Sequence, residues 1–559
     1  MLNNEIELRT SAEVCTQIAS YFDIVDNCIA LSDTNKQYTI SPQTSYSPSP
    51  PVPSGSYTSA IISPNTNNTA DIYNGFIRAD MEVSIKEAAG KAVEPLTSDG
   101  YQFNRVWFGF KDARDAVEKY EIVANGITIY TQNFGCEESF LTACCANETT
   151  KRADVYSKAR HKDIWNYKSG SRTGFVVDWK ERNGKKWTEQ KYKIHLKIDL
   201  RRFLPLSNIK YLPAFAGKIE LRLFFSCAGM VCCPIGPGAT FEHEPNVYSK
   251  YAFDQITNEF TPINESITMY TSKTNLADTT RITGAAFAAQ SNAVNINFIH
   301  LKTEDRTFQV VDYSITECSS IIPCFGIEDN IYSSLVQRYA DPTHPLTFPT
   351  QTLSVYTTTN KLKNPNDKTT CTITPRFVDS IFCLFPVKHT HHTYFKNPNF
   401  KSFQLNCGGY GNIPAKPFGT TDEYPEFLEY CQNAMNMNGE QSGFNKEVVN
   451  SLTYCNRDST TNQPTFGYST GYWTNDKTSF FIGLPTETDN TYQQGLTSLS
   501  PINFEINVSQ DTGAKTYANA VETPPLICLL FDSSISILVQ PNGMPPLVRL
   551  GNYDLTTPA

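Results

Sequence analysis

Long apolar runs are missing from this 559-residue chain, and so is a surplus of charge. No window approaches the roughly 18 uninterrupted apolar residues that a bilayer-spanning helix needs, so we expect no membrane span. Charged residues make up 18% and the net charge is -9, which gives no general attraction to nucleic acid or to anionic membranes. Residues 1–9 lack the basic and apolar regions of a signal peptide, so secretion by the ordinary route is not expected.

Two common catalytic motifs are also missing, the Gly-x₄-Gly-Lys-Ser/Thr phosphate loop and the His-Glu-x₂-His zinc motif. The segment Gly467–Gly471 does match the Gly-x-Ser-x-Gly nucleophile elbow. However, a Thr/Asn-rich loop precedes Ser469, and no histidine follows His392 to act as the base. A turn entering a strand is the preferred interpretation. We predict that the chain is not an enzyme, and we assign no catalytic and no cofactor-binding residue.

Two clusters could in principle supply metal ligands. The segment Lys388–His392 contains three histidines, but no cysteine or carboxylate follows at a suitable spacing, and a solvated loop is preferred. The adjacent Cys232 and Cys233, with His243 and Glu244, lack the two to four intervening residues that zinc-binding cysteine pairs usually have. We therefore predict no metal site and no cofactor.

Cysteine is abundant, with 16 residues scattered through the chain. Several lie inside apolar runs, such as Cys383 in Ile-Phe-Cys-Leu-Phe and Cys528 in Leu-Ile-Cys-Leu-Leu. Free cysteine packs as a small hydrophobic residue. Most of these cysteines are thus predicted to be buried thiols, made and kept in a reducing compartment.

Short strands are the dominant predicted element. The chain has 33 prolines and 29 glycines between short apolar runs, which suits strands joined by loops. Apolar and polar residues alternate in 193–200 and in 218–224, which predicts strands with one buried face. A further strand is predicted over 76–85, and helices are predicted to be few and short.

The two halves of the chain echo one another in sequence. At 559 residues the chain is too long for a single core, because cores stop growing at roughly 250 to 300 residues. Four pairs of segments match in the same order, at offsets in numbering from 275 to 297: 138–144 with 425–431, 105–110 with 379–385, 173–179 with 470–476, and 219–226 with 502–509. Two diverged copies of one β-domain would produce this pattern.

The domain boundary is predicted within 315–335, where the stretch 318–330 is poor in strand pattern. Residues 1–320 would form the first jelly roll with an N-terminal arm that includes the Pro/Ser-rich 41–56, and residues 321–559 the second. About eight strands and one inserted helix per copy fit a jelly roll. The predicted fold class is all-β, with two tandem jelly-roll β-sandwich domains and short helices inserted in loops.

Several segments resemble one viral family, the double jelly-roll major capsid proteins of Polinton (Maverick) elements, virophages and the adenovirus-like lineage. The second half carries a Pro-Arg-aromatic-aliphatic strand, then a Phe-rich segment ending in Leu-Asn, and then Tyr-Pro before a helix. In the first half a Pro-Leu-Ser turn follows a strand. The matching residues are Pro375–Val378, Asn397, Phe400, Phe403, Leu405–Asn406, Tyr424–Pro425, Leu204–Ser207 and the late strand Leu529–Leu538.

The resemblance implies a function in assembly. Three copies would form a pseudo-hexagonal homotrimer, and many such trimers would tile an icosahedral virion shell. The partners would be further copies of the chain, a penton protein and minor capsid proteins. The implied location is the virion capsid, after synthesis in the interior of the host cell.

Other interpretations remain open at this point. Residues 151–202 hold sixteen Lys/Arg against six Asp/Glu, with three tryptophans, and could contact packaged DNA, although a solvated strand face is preferred. Glu137–Glu138 and Asp422–Glu423 are predicted to be acidic residues at helix starts. A carbohydrate-binding or carbohydrate-active β-sandwich is the alternative function. A viral spike would need a shaft repeat, and the sequence shows none.

Overall fold

The computed structural model describes most of the strand framework of both halves. It covers residues 57–64, 68–87, 105–109, 113–145, 175–178, 189–226, 231–235, 251–254, 259–262, 308–341, 345–362, 368–375, 378–386, 400–418, 424–434, 480–486, 500–510, 523–540 and 544–551, with Tyr21, Phe22, Val25, Phe395, Leu496 and Ser498.

The described part of the first half contains fifteen strands and one α-helix. The strands are β1 Thr58–Ile62, β2 Asn68–Asp71, β3 Phe76–Glu87, β4 Arg105–Gly109, β5 Val117–Ala124, β6 Ile127–Gln132, β7 Phe175–Asp178, β8 Glu189–Asp199, β9 Tyr211–Pro213, β10 Ile219–Phe225, β11 Val231–Ile235, β12 Tyr251–Asp254, β13 Glu259–Pro262, β14 Phe308–Ile321 and β15 Cys324–Gly326. Helix α1, Gly135–Cys145, follows β6.

The described part of the second half contains nine strands and two α-helices. Helix α2 is Asp329–Arg338 and helix α3 is Tyr424–Ala434. The strands are β16 Leu346–Thr357, β17 Lys368–Ile373, β18 Val378–Leu384, β19 Phe400–Cys407, β20 Asn412–Phe418, β21 Phe481–Pro485, β22 Ile502–Gln510, β23 Leu526–Leu538 and β24 Leu547–Gly551.

The second half has the strand order of a jelly roll. One sheet runs β16-β23-β18-β21 and the other β17-β22-β19-β20, with antiparallel pairing throughout. Counted from β16 to β23 as strands one to eight, the sheets are ordered 1-8-3-6 and 2-7-4-5. Two four-stranded sheets interleaved in this way are a double Greek key. Strand β24 extends the first sheet by pairing with β23.

The first half repeats this order. Its sheets β14-β3-β8 and β1-β10-β5-β6 correspond to 8-3-6 and 2-7-4-5. The described residues thus contain counterparts of seven of the eight strands of the second half. The predicted fold class, two tandem jelly rolls with short helices inserted in loops, is confirmed.

Insertions in the described part of the first half form three small additional sheets, one of which is the hairpin β12–β13 within the β10–β14 connection. Strands β4, β7 and β11 come from the connections β3–β5, β6–β8 and β10–β14, and they pair in the order β11-β4-β7. Strands β2 and β9, from the connections β1–β3 and β8–β10, pair with β15, which follows β14. Successive strands of the two sandwich sheets run in opposite directions. The strands of each small sheet therefore come from connections at the same end of the sandwich.

The alternation of buried and partly exposed residues explains why these segments are strands. In β10 every second residue is buried, namely Ile219, Leu221, Leu223 and Phe225. In β8, Leu196 and Ile198 are buried. Side chains in a strand point alternately to the two faces of the sheet, so one face of each strand enters the sandwich. The strands predicted over 76–85, 193–200 and 218–224 are confirmed.

Two sequence predictions about the halves are wrong. The match of 105–110 with 379–385 pairs β4 with β18, but the sheet order makes β3 the counterpart of β18, and β4 belongs to an inserted sheet. The stretch 318–330 is not poor in strands, because it contains the end of β14 and all of β15. Inward positions there carry small residues, Cys318 and Ser320, which hid the alternation. No finding tests the division at 320/321, which stays a prediction, as does the N-terminal arm, since 41–56 lies outside the described residues.

Candidate functional site: the junction between the jelly rolls

Helix α1 is the element that brings the two halves together. It begins at Gly135, where an added Cβ would lie 2.6 Å from the carbonyl oxygens of Val117 and Glu118, so only glycine allows this approach to β5. From there the helix directs Phe140 into the hydrophobic core of the second half. The ring of Phe140 lies 4.5 Å from that of Phe395 and 6.3 Å from that of Phe481.

A fully buried carboxylate, Glu138, lies on the same helix. Tyr120 donates its hydroxyl to both carboxylate oxygens, at 2.9 and 3.0 Å, and Gln132 Nε2 donates at 3.0 Å. The backbone N–H of Leu204 donates at 3.3 Å, and Arg114 Nη2 lies 3.5 Å from Oε1. Each of these partners is a donor, which is the arrangement that an ionised carboxylate requires.

Arg114 is the buried cation of this network. Its Nη1 donates to the carbonyl of Val117 at 2.9 Å, and its guanidinium carbon lies 4.3 Å from the ring centre of Phe203 and 4.9 Å from that of Tyr120. Both Arg114 and Glu138 have side chains with no exposed surface. Because two charges removed from water are costly unless they are paired, each of the two residues depends on the other.

Hydrogen bonds to two carbonyl groups, those of Leu353 and Leu204, connect the network with the second half. Gln132 Nε2 and the Tyr130 hydroxyl both donate to the Leu353 oxygen of β16, at 2.9 and 3.2 Å. In the opposite direction, Thr350 of β16 donates its hydroxyl to the Leu204 oxygen at 2.9 Å. The junction is therefore a hydrogen-bonded and desolvated interface, and not a linker.

Burial sets the protonation equilibria of the network. Loss of water raises the pKa of Glu138, while Arg114, Gln132, Tyr120 and the Leu204 N–H each act to lower it. Desolvation, reinforced by the nearby Glu138 charge, also raises the pKa of Tyr120. Glu138 does lie in the first turn of a helix, as the sequence predicted, but the predicted role is incomplete, because its hydrogen-bond partners lie outside the helix.

The β5–β6 hairpin makes a second connection across the junction. Asn125 adopts the left-handed conformation at its turn, with φ of 51°. Its Nδ2 donates to the Pro546 oxygen just before β24 at 2.8 Å, while Lys218 N–H donates to its Oδ1 at 2.9 Å. Beyond this turn, the core of the first half also includes residues of β16, β23 and β24: Leu346, Phe348, Ile535, Ile537 and Val548.

Residues from the N-terminal segment complete this core. The ring of Tyr21 lies 6.1 Å from that of Phe348 and 6.4 Å from that of Tyr339, edge to face in both cases. The Phe22 ring lies 6.1 Å from that of Tyr211. Tyr21 is fully buried. This part of the N-terminal segment is therefore packed against both halves of the chain.

Of the nine cysteines whose side chains the structure describes, eight are buried, as predicted: Cys136, Cys144, Cys318, Cys324, Cys383, Cys407, Cys431 and Cys528, with Cys371 partly exposed. Desolvation raises the pKa of Cys318, Cys407 and Cys431 to about 12 in each case. These thiols are thus protonated at neutral pH and are poor nucleophiles.

Most of the other sequence candidates lie outside the described residues. These are Ser469, the histidines of 388–392, His243, Glu244, Asp422–Glu423 and most of the basic stretch 151–202. Cys232 and Cys233 are consecutive residues of β11, paired with Phe108 and Trp107 of β4. Within the described ranges, no group of three or more His, Cys, Asp or Glu could hold a metal ion. In the same ranges no helix is long and apolar enough to traverse a bilayer.

The fold defines the class of molecule as a double jelly roll whose halves share a buried junction. No family model matches the sequence, and no curated protein matches it. Solved structures that resemble it include viral capsid components, and the resemblance spans both halves.

Three of these structures are described here by their sequence identity, coverage and TM-score. A chain of the Sputnik virophage is 12% identical, over 94% of this chain and 91% of that one, with a TM-score of 0.45. The mavirus major capsid protein is 11% identical, over 94% and 92%, with a TM-score of 0.41. The Faustovirus major capsid protein is 7% identical, over 99% and 98%, with a TM-score of 0.34. Likenesses this distant do not assign a function.

Proposed function

We propose that this chain is a viral major capsid protein that trimerises into pseudo-hexagonal capsomers and builds an icosahedral virion shell. The observation that carries the proposal is the presence, in one chain, of two jelly rolls with the same strand order, joined by a buried interface. The capsid-type sequence motifs support the same conclusion, since Phe403 and Leu405 are buried in the core of the second half and Tyr424–Pro425 begin α3.

A duplicated sandwich suits a hexagonal lattice for a geometric reason. Three copies of a chain with two similar halves present six similar blocks around one axis, so a trimer fills a six-neighbour position. Closed assemblies of this kind depend on a fixed relative orientation of the blocks. The hydrogen bonds from Gln132 and Tyr130 to the Leu353 oxygen and the insertion of Phe140 supply that rigidity, because both would be lost if the halves rotated apart.

Contacts between capsomers need not be individually strong, because repetition around a closed shell multiplies them. Contacts within a trimer, by contrast, are expected to be large and rather apolar. We propose further copies of the chain, a penton protein and minor capsid proteins as its partners. The proposed location is the virion capsid, after synthesis inside the host cell, where buried thiols stay reduced.

The first experiment is size-exclusion chromatography with light scattering on the purified chain, followed by negative-stain imaging. The expected species is a trimer of about 188 kDa, three times the chain mass of 62.7 kDa, with a hexagonal outline. A monodisperse monomer over a wide concentration range would overturn the proposal. If such a monomer also bound immobilised oligosaccharides, the carbohydrate-binding alternative would replace it.

A further inference from the structure

The two-residue turn of the β5–β6 hairpin is an Asn-Gly dipeptide, Asn125-Gly126. Both residues have positive φ, 51° and 89°, as the central residues of a type I′ hairpin turn do. In an Asn-Gly sequence the backbone nitrogen of the glycine can attack the side-chain amide carbon of the asparagine, because glycine has no Cβ to shield that nitrogen. Gly126 is exposed, and a Cβ added to it would meet no atom within 4 Å. The surroundings of Gly126 therefore leave this attack open.

The side chain of Asn125, by contrast, is held at both ends of its amide. Its Nδ2 donates to the Pro546 oxygen at 2.8 Å and to the Ala216 oxygen at 3.3 Å. Its Oδ1 accepts the Lys218 N–H at 2.9 Å. An amide that is hydrogen-bonded through both its nitrogen and its oxygen cannot turn its carbon freely towards the Gly126 nitrogen. These three hydrogen bonds, the Asn125 bridge, therefore oppose the reaction that the dipeptide favours.

The Asn125 bridge depends on the position of strand β24. Pro546 directly precedes β24, and within the described residues β24 pairs with β23 alone, over Leu547–Gly551. Val548 is buried in the core of the first half, whereas Arg549 is exposed. A short strand that is hydrogen-bonded along one edge opens locally at a lower cost in free energy than a central strand does. Opening of β24 would remove the shorter Nδ2 bond and so release the amide.

We propose that Asn125 is a deamidation site, which the Asn125 bridge protects and which opening of β24 makes reactive. The Gly126 nitrogen bonds to the Asn125 Cγ, and the Cγ–Nδ2 bond breaks. The amide nitrogen leaves as ammonia with the proton that Gly126 loses, and a cyclic imide remains. Water then adds to one imide carbonyl and opens the ring to aspartate or isoaspartate. Water is the only co-reactant, and no group is oxidised or reduced.

The product cannot rebuild the Asn125 bridge, so the reaction would be a one-way change. A carboxylate accepts hydrogen bonds and donates none, so it has no proton for the Ala216 and Pro546 oxygens. One carboxylate oxygen could still accept the Lys218 N–H, but the other would lie against two carbonyl oxygens. The connection between the hairpin and β24 would therefore be lost progressively as the molecule ages. The inference rests on the hairpin and β24 and is independent of capsid assembly.

A second Asn-Gly dipeptide, Asn74-Gly75, provides an internal comparison. Asn74 Nδ2 donates to Asp71 Oδ2 at 2.7 Å, and the Asn74 N–H donates to Asp71 Oδ1 at 3.0 Å. Both bonds lie within one turn and involve neither β24 nor the β5–β6 hairpin. Opening of β24 should therefore leave the deamidation rate of Asn74 unchanged.

The test measures deamidation in the full chain, incubated at mildly alkaline pH and analysed by peptide mapping and mass spectrometry over time. The chain unfolded in urea gives the unprotected rate. Gly217→Ala places a Cβ 2.4 Å from Asn125 Oδ1 and so displaces the amide. Val548→Asp puts a charge at a buried position of β24 and so detaches the strand. Arg549→Ser, at an exposed position of the same strand, is the matched control.

In the native wild-type chain, Asn125 is expected to deamidate at least about tenfold more slowly than in the unfolded chain. Gly217→Ala and Val548→Asp should each raise the native rate at least about threefold, while Arg549→Ser leaves it unchanged. Equal rates in the native and unfolded wild-type chain would overturn the proposed protection. A rate that stays slow in both opened variants would show that the turn alone protects Asn125, which overturns the role of the bridge.

A second measurement tests the consequence of the reaction. Asn125→Asp reproduces the main-chain-intact product, and hydrogen exchange in 547–551 is expected to be at least about threefold faster than in wild type. Asn74→Asp makes the same chemical change in another turn and is expected to leave that exchange unchanged. Equal exchange in the two variants would contradict the claim that deamidation disconnects β24 from the hairpin.

Discussion

Helices α1 and α3 occupy equivalent places in the two jelly rolls, each following the hairpin of the fourth and fifth strands, yet they pack differently. Helix α3 stays within its own half, where Phe427 stacks on Phe480 at 6.3 Å and Gly483 allows a close approach to Ala434. Helix α1 instead inserts Phe140 into the core of the other half. The repeated framework fixes where a helix occurs, and the contacts of each helix decide whether it closes one domain or joins two.

The largest expected effect comes from breaking the buried pair that distinguishes α1. Arg114→Ala leaves the Glu138 carboxylate buried without its cation, and we expect the free energy of unfolding to fall by about 3–5 kcal/mol. Urea denaturation followed by circular dichroism measures it. The control is Arg222→Ala, whose partly exposed ion pairs with Glu121 and Glu220 should contribute about 0–1 kcal/mol. Equal losses in the two variants would contradict the assigned role of Arg114.

Removing the aromatic anchor of each helix tests the difference in packing directly. Phe140→Ala and Phe427→Ala should each lower stability by about 3–4 kcal/mol, because each leaves a cavity in the same core. Hydrogen exchange, measured segment by segment, distinguishes the two variants. Phe140→Ala is expected to loosen β5 and β6 of the first half together with β21, whereas Phe427→Ala should leave β5 and β6 protected. Identical exchange maps would show that α1 does not couple the halves.

The pH dependence of stability gives a subtler comparison. Because burial raises the native pKa of Glu138, the folded chain holds that proton more tightly than the unfolded chain. The contribution is present in full below the unfolded pKa of about 4.3 and declines as pH rises through the native pKa, with a slope of at most about 1.4 kcal/mol per pH unit. Glu138→Gln should remove this slope. Glu505→Gln, which alters the exposed ion pair with Lys368, should leave the slope unchanged. A slope that is unchanged in both variants would refute the role assigned to Glu138.

The smallest expected effect concerns a single hydrogen bond across the junction. Tyr130→Phe removes the donor to the Leu353 oxygen while Gln132 continues to donate to it, so we expect a loss of about 0.5–1.5 kcal/mol. Tyr356→Phe, on β16, serves as the comparison and should change stability by less than about 0.5 kcal/mol. Thermal melts of both variants against wild type provide the measurement, and equal losses would argue against the bond across the junction.

Many strands of the two sandwiches could be predicted from sequence, because the alternation of apolar and polar residues is a local signal. Ile219, Leu221 and Leu223 indicate β10 without knowledge of anything else in the chain. The correspondence of α1 with α3 and of β10 with β22 also followed from matching segments. Strand β4 was misassigned because an aromatic-rich strand in an insertion looks like one in the framework. Only the sheet order separates them.

The junction could not be predicted, because its members are far apart in the sequence. Glu138 was interpreted from its position at a helix start, where an acidic residue is common. Its burial depends on Leu204 and, through Gln132, on Leu353, which lies 221 residues away from that glutamine. A buried arginine–glutamate pair has no local signature. The one available signal is an arginine, Arg114, in a short turn between two strands that are rich in apolar residues.

The gathering of β4, β7 and β11 into one small sheet has a practical consequence for engineering. Each of the three insertions leaves and re-enters the framework at strand ends that the sandwich already holds in place, so a longer insertion adds little closure entropy, about 0.6 kcal/mol per doubling. New peptide sequences could therefore be grafted there without redesign of the core. The sandwich that contains the hydrophobic core and the surface that carries added sequence can evolve, or be designed, separately.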